Sequence, residues 1–121
     1  MSLRSAEVFK TRRPRHRPER AIQKSIVAYL RAIGALVAVT DAGAAYRAGA
    51  FFGDAIPAGW PDITGLLPDG RFIGVEVKAP GGRQSAVQKA MEQAIRQRRG
   101  IYVLAYGVED VQEGIGHAPQ D

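Results

Sequence analysis

Gly59-Trp60-Pro61-Asp62-Ile63-Thr64-Gly65-Leu66-Leu67-Pro68-Asp69-Gly70-Arg71-Phe72-Ile73-Gly74-Val75-Glu76-Val77-Lys78 decides the fold. Two apolar-rich runs flank Pro68-Asp69-Gly70, which reads as a turn. Proline presets φ and glycine accepts a positive φ. A three-residue hairpin loop with glycine in the left-handed position joins Leu67 to Arg71. Counting back from that loop sets Asp62 opposite Glu76. Opposed side chains on one face stand about 5 Å apart at Cβ. Lys78 lies two residues beyond Glu76 and shares its face. A slip of one residue would move Asp62 to the other face, so the turn type decides the register.

Two neighbouring carboxylates repel unless something stands between them. A divalent cation is the usual remedy, and oxygen ligands suit Mg²⁺ or Mn²⁺. Such an ion could hold a water and a phosphate oxygen, with Lys78 orienting or helping to deprotonate the water. That chemistry is metal-assisted phosphodiester hydrolysis. The competing reading is an ordinary hairpin with a surface Glu-Lys pair. Glu-x-Lys and Pro-Asp say little singly; their combination in register across a tight turn is more specific.

The chain has 121 residues, enough for one domain with a real core. Its 45% hydrophobic and 24% charged residues are ordinary for a soluble globular protein. It has no cysteine, which excludes disulfides and thiolate metal sites. There is no apolar run of membrane-spanning length and no signal peptide, so a cytoplasmic location is expected. The net charge of +5 is concentrated at the start. Residues 1–20 hold Arg4, Lys10, Arg12, Arg13, Arg15, Arg17 and Arg20 against Glu7 and Glu19, and the remainder balances. A basic arm of this kind favours polyanions, or simply keeps a terminus soluble.

Residues 1–17, Arg-rich and broken by Pro14, read as a flexible arm before a domain over residues 18–113. A first helix starts at Pro18, buries Ile22, Ile26, Tyr29, Leu30 and Ile33, and stops at Gly34. Glu19 heads its inward stripe, although an acid in a first turn also suits the helix dipole. Residues 35–40 read as a buried strand. Residues 41–59 read as a long loop with a short strand near Arg47 to Phe52. Arg47 could meet a phosphate there and Tyr46 could stack on a base. After the hairpin, Gly81-Gly82-Arg83 lacks the Gly-Lys-Ser/Thr of a phosphate-binding loop, so no nucleotide cofactor is expected. Ser85-Ala86-Val87-Gln88 matches a capping box and opens a second helix with Val87, Met91, Ala94 and Ile95 inward. Residues 101–106 read as a last buried strand, residues 109–111 as a short turn or helix, and residues 114–121 as a frayed tail. Helices flanking one mixed sheet, in the order α-β-β-β-α-β, fit this pattern.

These motifs resemble the VRR-NUC domain, a branch of the PD-(D/E)XK nuclease superfamily with a restriction-endonuclease-like core. The resemblance rests on Glu19-x-x-x-Gln23, Gly59-Trp60-Pro61-Asp62, Gly70 through Lys78, and Gly82-Arg83-Gln84-Ser85-x-x-Gln88, in that order, over residues 18–107. It implies an Mg²⁺- or Mn²⁺-dependent, structure-selective DNA endonuclease. By resemblance, Asp62 and Glu76 are metal ligands with the Val77 carbonyl as a third, and Lys78 is the catalytic lysine. Glu19 completes the metal site, through a water, and Gln88 joins it from the second helix. The resemblance further implies a homodimer acting on branched DNA, such as Holliday junctions or flaps, in replication, recombination or repair. Arg12, Arg13, Arg15, Arg17, Arg47 and Arg83 are candidate DNA contacts. The rival readings are a junction-binding protein without catalysis and an assembly partner acting through an open sheet edge or the second helix.

Overall fold

The hairpin turn forms at Pro68-Asp69-Gly70. Leu67 N–H donates to the Arg71 carbonyl at 2.9 Å, and Gly70 N–H donates to the Leu67 carbonyl at 2.8 Å. Gly70 sits at φ +89°, which an L side chain resists. Asp69 pins the turn by accepting from Arg71 N–H at 3.1 Å and Arg71 Nε at 2.8 Å. The flanking strands are β2 (Ile63–Leu66) and β3 (Phe72–Val77), paired antiparallel with Ile63 opposite Val75 and Leu66 opposite Phe72. One more step of that register sets Asp62 opposite Glu76. The computed structural model describes residues 3–41 and 56–117, with residues 3–17 and 117 described by backbone alone. The expected strand near Arg47 and the roles of Tyr46 and Arg47 lie outside the described residues.

Two further strands complete a four-stranded sheet in the order β1-β2-β3-β4. β1 (Leu36–Val39) runs antiparallel to β2, and β4 (Ile101–Ala105) runs parallel to β3. Side-chain alternation then sorts the sheet into two faces. Val37, Ile63, Ile73, Val75, Val77, Ile101, Val103 and Ala105 share one face and join the core. Phe72, Gly74 and Glu76 point to the other, with Tyr102 beside them.

The core face is covered by α1 (Leu3–Ala32) and α3 (Val108–His117). Ile26 and Leu30 of α1 are fully buried there, as is Val111 of α3. The opposite face carries α2 (Ala86–Gln97) beside β4. Burial of each large aliphatic side chain contributes about 1.5–3 kcal/mol, so this single cluster carries most of the fold's stability.

Several elements differ from the sequence reading. The backbone of residues 3–17 is helical and continuous with the expected helix, which begins at Leu3 instead of Pro18. Residues 3–13 contain neither Gly nor Pro, and Pro14 and Pro18 each remove one i→i−4 bond while the helix continues. Ile33 is exposed because the helix has already ended at Ala32 and Gly34 turns the chain at φ +94°. β1 is exposed rather than buried, since it lies at the sheet edge, with Leu36 73% exposed. Residues 108–117 form a full helix where a short turn and frayed tail were expected. Val111 and Ile115 pack it on the core, and Gly114 permits the approach: a Cβ there would meet Val103 Cγ2 at 2.6 Å.

Candidate active site

The site forms where the hairpin's open end meets the start of α2. Asp62 precedes β2, Glu76 lies near the end of β3, Lys78 follows β3, and Gln88 sits in the first turn of α2. Asp62 stands across from Glu76 and its Oδ2 accepts from Val77 N–H at 2.9 Å. Lys78 Nζ lies 3.6 Å from Glu76 Oε2. Lys78 is itself anchored by its backbone, whose N–H donates to the Ala105 carbonyl at 3.0 Å. Asp62, Glu76, Val77 and Lys78 thus meet, as the hairpin arithmetic requires.

Gln88 joins them while capping its helix. Its backbone N–H donates to Ser85 Oγ at 3.1 Å, and its Oε1 accepts from Ser85 N–H at 2.9 Å. Its Nε2 is left to donate, and does so to Glu76 Oε2 at 3.0 Å. The capping box therefore aims the amide at the carboxylate. The helix end is held down by Gln84, whose Nε2 donates to Tyr102 Oη at 3.1 Å and to Glu92 Oε1 at 3.0 Å. Burial pushes the Tyr102 phenol up to about 12, so it stays protonated.

Glu76 is 2% exposed, and its Oε1 is buried without a hydrogen-bond partner among the described residues. Burial, then the charge of Asp62, push the Glu76 carboxyl up to about 8 against the pull of Lys78. The Asp62 carboxyl is also raised, chiefly by burial, with the Val77 N–H opposing. Two carboxylates offer only acceptors, so the pair needs a proton or a cation between them. An orphaned buried oxygen in an all-oxygen donor set fits a hard divalent ion such as Mg²⁺ or Mn²⁺.

Glu19 is half-buried on α1. No group of three or more His, Cys, Asp or Glu side chains able to hold one ion occurs among the described residues, so Glu19 is not gathered with the pair. Its helix packs through Ile26 and Leu30 on the core face, whereas Glu76 belongs to the opposite face. Asp41 is the acid that sequence reading missed: its charge helps raise Asp62. The β1–β2 register carries the signal, because Thr40 N–H donates to the Asp62 carbonyl at 2.7 Å and Asp41 comes next. Arg83 is exposed near the site's helix, and Arg12, Arg13, Arg15 and Arg17 lie on the helical backbone of α1 with side chains outside the described residues.

A solved structure of a VRR_NUC domain superposes on 84% of this chain and 98% of its own, with a TM-score of 0.64 and 22% identity. This chain has the VRR-NUC fold. The mixed sheet with its hairpin and the helix following β3 are accounted for by that fold, as the sequence resemblance implies. No family model and no curated protein matches the sequence, so the VRR-NUC fold rests on structural likeness and on the motifs. No helix among the described residues is long and apolar enough to cross a membrane.

Proposed function

We propose that this chain is a divalent-metal-dependent DNA endonuclease hydrolysing phosphodiester bonds, acting on branched DNA in replication, recombination or repair. One observation carries the reading: Glu76, buried and facing Asp62, presents an oxygen with no partner among the described residues. Neither a scaffold nor a simple DNA-binding surface benefits from two carboxylates facing where phosphates would come. The VRR-NUC fold supports the same reading.

Asp62 and Glu76 would hold Mg²⁺ or Mn²⁺, with the Val77 carbonyl as a third ligand, while Glu19, on the helix that packs against the other face of the sheet, stays outside the ligand set. Such an ion, when bound, polarises a phosphoryl oxygen and acidifies a water. Lys78 places its ammonium 3.6 Å from Glu76 Oε2, where it orients the attacking water and offsets charge on the phosphate. Gln88 holds Glu76 Oε2 in a fixed direction through its 3.0 Å bond, and the other oxygen, Oε1, is buried with no hydrogen-bond partner among the described residues. Arg83 and the arginines of residues 12–17 supply backbone attraction. A homodimer would place two such sites symmetrically on a junction, and the exposed Leu36 and Leu66 at the β1 edge suit a self-contact.

Incubating the protein with duplex, nicked, flap and four-way-junction DNA, with and without Mg²⁺, tests the proposal. Cleavage that needs the ion and favours a branched substrate is expected. Binding without cleavage in Mg²⁺ and Mn²⁺ alike would favour the non-catalytic junction binder instead.

The double duty of Gln88 gives a separate prediction. Ser85→Ala and Gln88→Ala should each lower stability by about 1 kcal/mol in urea, since each breaks the cap. Only Gln88→Ala should also slow cleavage, because Ser85→Ala keeps the Ser85 N–H bond to Gln88 Oε1. Equal rates for the two variants would reduce Gln88 to a capping residue.

A further inference from the structure

A groove of about 410 Å³ opens between α2 and β3, walled by Trp60, Phe72, Met91, Ala94 and Ile95, with Arg98 at its mouth. Its volume falls within the roughly 300–1,000 Å³ typical of small-molecule sites. Trp60 and Phe72 meet edge to face, with ring centroids 5.9 Å apart and planes at 62°. Arg98 is the C-cap of α2, and its Nη1 donates to the Ala94 carbonyl at 2.9 Å, so its guanidinium is tied to the groove. Among the described residues Arg98 is the one cation that lines the groove, while Arg96 on the same helix is paired with Glu92 at 2.9 Å. None of these residues is used by the chemistry proposed above.

Trp60 lies two residues before Asp62, which limits their separation along the backbone to about 7 Å. A nucleic-acid strand advances about 3.4 Å per nucleotide in a duplex. Phe72 stands four residues before Glu76 on β3, about 13 Å away, so a strand whose phosphate reaches Asp62 and Glu76 has a base at the groove about two to four steps from it. The path is fixed: a Cβ on Gly59, at φ +81°, would lie 2.6 Å from the Val87 carbonyl oxygen, so this segment is threaded tightly under α2.

We propose that this groove takes one unpaired nucleobase of the DNA strand being cut, with Trp60 and Phe72 providing the aromatic wall and Arg98 meeting an adjoining phosphate. The inference rests on the nuclease reading and adds to it a means of substrate choice. A paired base shows only its edges and cannot enter an apolar slot, whereas an unpaired base offers a π-face. A flap or junction arm supplies such a base beside the scissile bond; intact duplex does not.

Trp60 is the chain's one tryptophan, so its emission reports on the groove directly. The test uses the full chain and two labelled duplexes with an unpaired arm, one arm carrying bases and the other abasic sugars. Affinity is read by anisotropy and Trp60 emission is read in parallel, in EDTA and again in Ca²⁺. The base-bearing arm should bind roughly 5- to 150-fold tighter, the range stacking of one base supplies, and should quench Trp60 saturably. Ala94→Leu fills the groove at little cost to helix propensity and should erase the difference between the arms. Equal affinities, or a difference without change in Trp60 emission, would overturn the groove assignment and leave the nuclease reading intact. Failure of either DNA to bind in both conditions would overturn both.

Discussion

If the proposed metal-dependent cleavage is correct, Glu76→Gln, Asp62→Asn and Lys78→Ala should each lower it by about three orders of magnitude or more. Loss of a metal ligand or of the charge beside it removes several kcal/mol of transition-state stabilisation, at about 1.4 kcal/mol per tenfold. The folded state responds differently. Glu76 is 2% exposed and faces a second carboxyl, so its ionised form is held at a cost. Glutamine keeps the shape, removes the charge and can donate to Asp62. In metal-free buffer at pH 9, Glu76→Gln should therefore be more stable than the parent by about 1–3 kcal/mol, the cost of a buried unsatisfied polar group. A single variant that is inactive yet more stable is the signature of a site strained for function. A variant both active and unchanged in stability would remove Glu76 from the site.

The second large effect is on pH. Both members of the pair have raised folded-state values, and that of Glu76 reaches about 8 against an ordinary 4.5. Between those values the native state binds more protons than the unfolded chain, so stability falls as pH rises. The pair's contribution is fully present below about 4.5 and is lost as pH passes through about 8. The metal-free protein should lose a few kcal/mol across that window, read as a falling urea midpoint. Saturating Mg²⁺ should oppose the fall, because ligation requires the deprotonated carboxylates and so strengthens with pH. Glu76→Gln should flatten most of the slope. A parent profile already flat from pH 5 to 8.5 would show that the pair is not coupled as described.

The hairpin was legible because turn chemistry fixes register. Once Pro68-Asp69-Gly70 is placed, Leu67 faces Arg71 and every later pair follows, down to Asp62 and Glu76. The capping box was legible for a similar reason, since Ser85 and Gln88 interact at fixed sequence spacing. Contact of Gln88 with Glu76 was suggested by family likeness, and its physical cause emerges from the fold: a cap that occupies Oε1 frees Nε2. What could not be read locally were properties set by neighbours. β1 has the composition of a core strand yet lies at the edge, and strand order is not encoded in one strand's residues. Val87 was assigned to the buried stripe of α2 but is 50% exposed, because the helix rests only partly on the sheet. Asp41 stayed hidden because its approach to Asp62 needs the β1–β2 pairing, which joins segments separated by a long connection. Glu19 and the two carboxylates share a motif in sequence, but the sheet stands between the core packing of α1 and the face that bears Glu76.

The most direct test is calorimetric titration of the full chain with Mn²⁺ at pH 7 in buffers of different ionisation enthalpy. The account predicts saturable uptake with proton release, because a carboxyl shifted to about 8 must ionise to bind the metal. It predicts loss of both uptake and proton release in Glu76→Gln. Uptake by that variant equal to the parent's, or no uptake of Mn²⁺ or Mg²⁺ by the parent at any pH from 6 to 9, would contradict it.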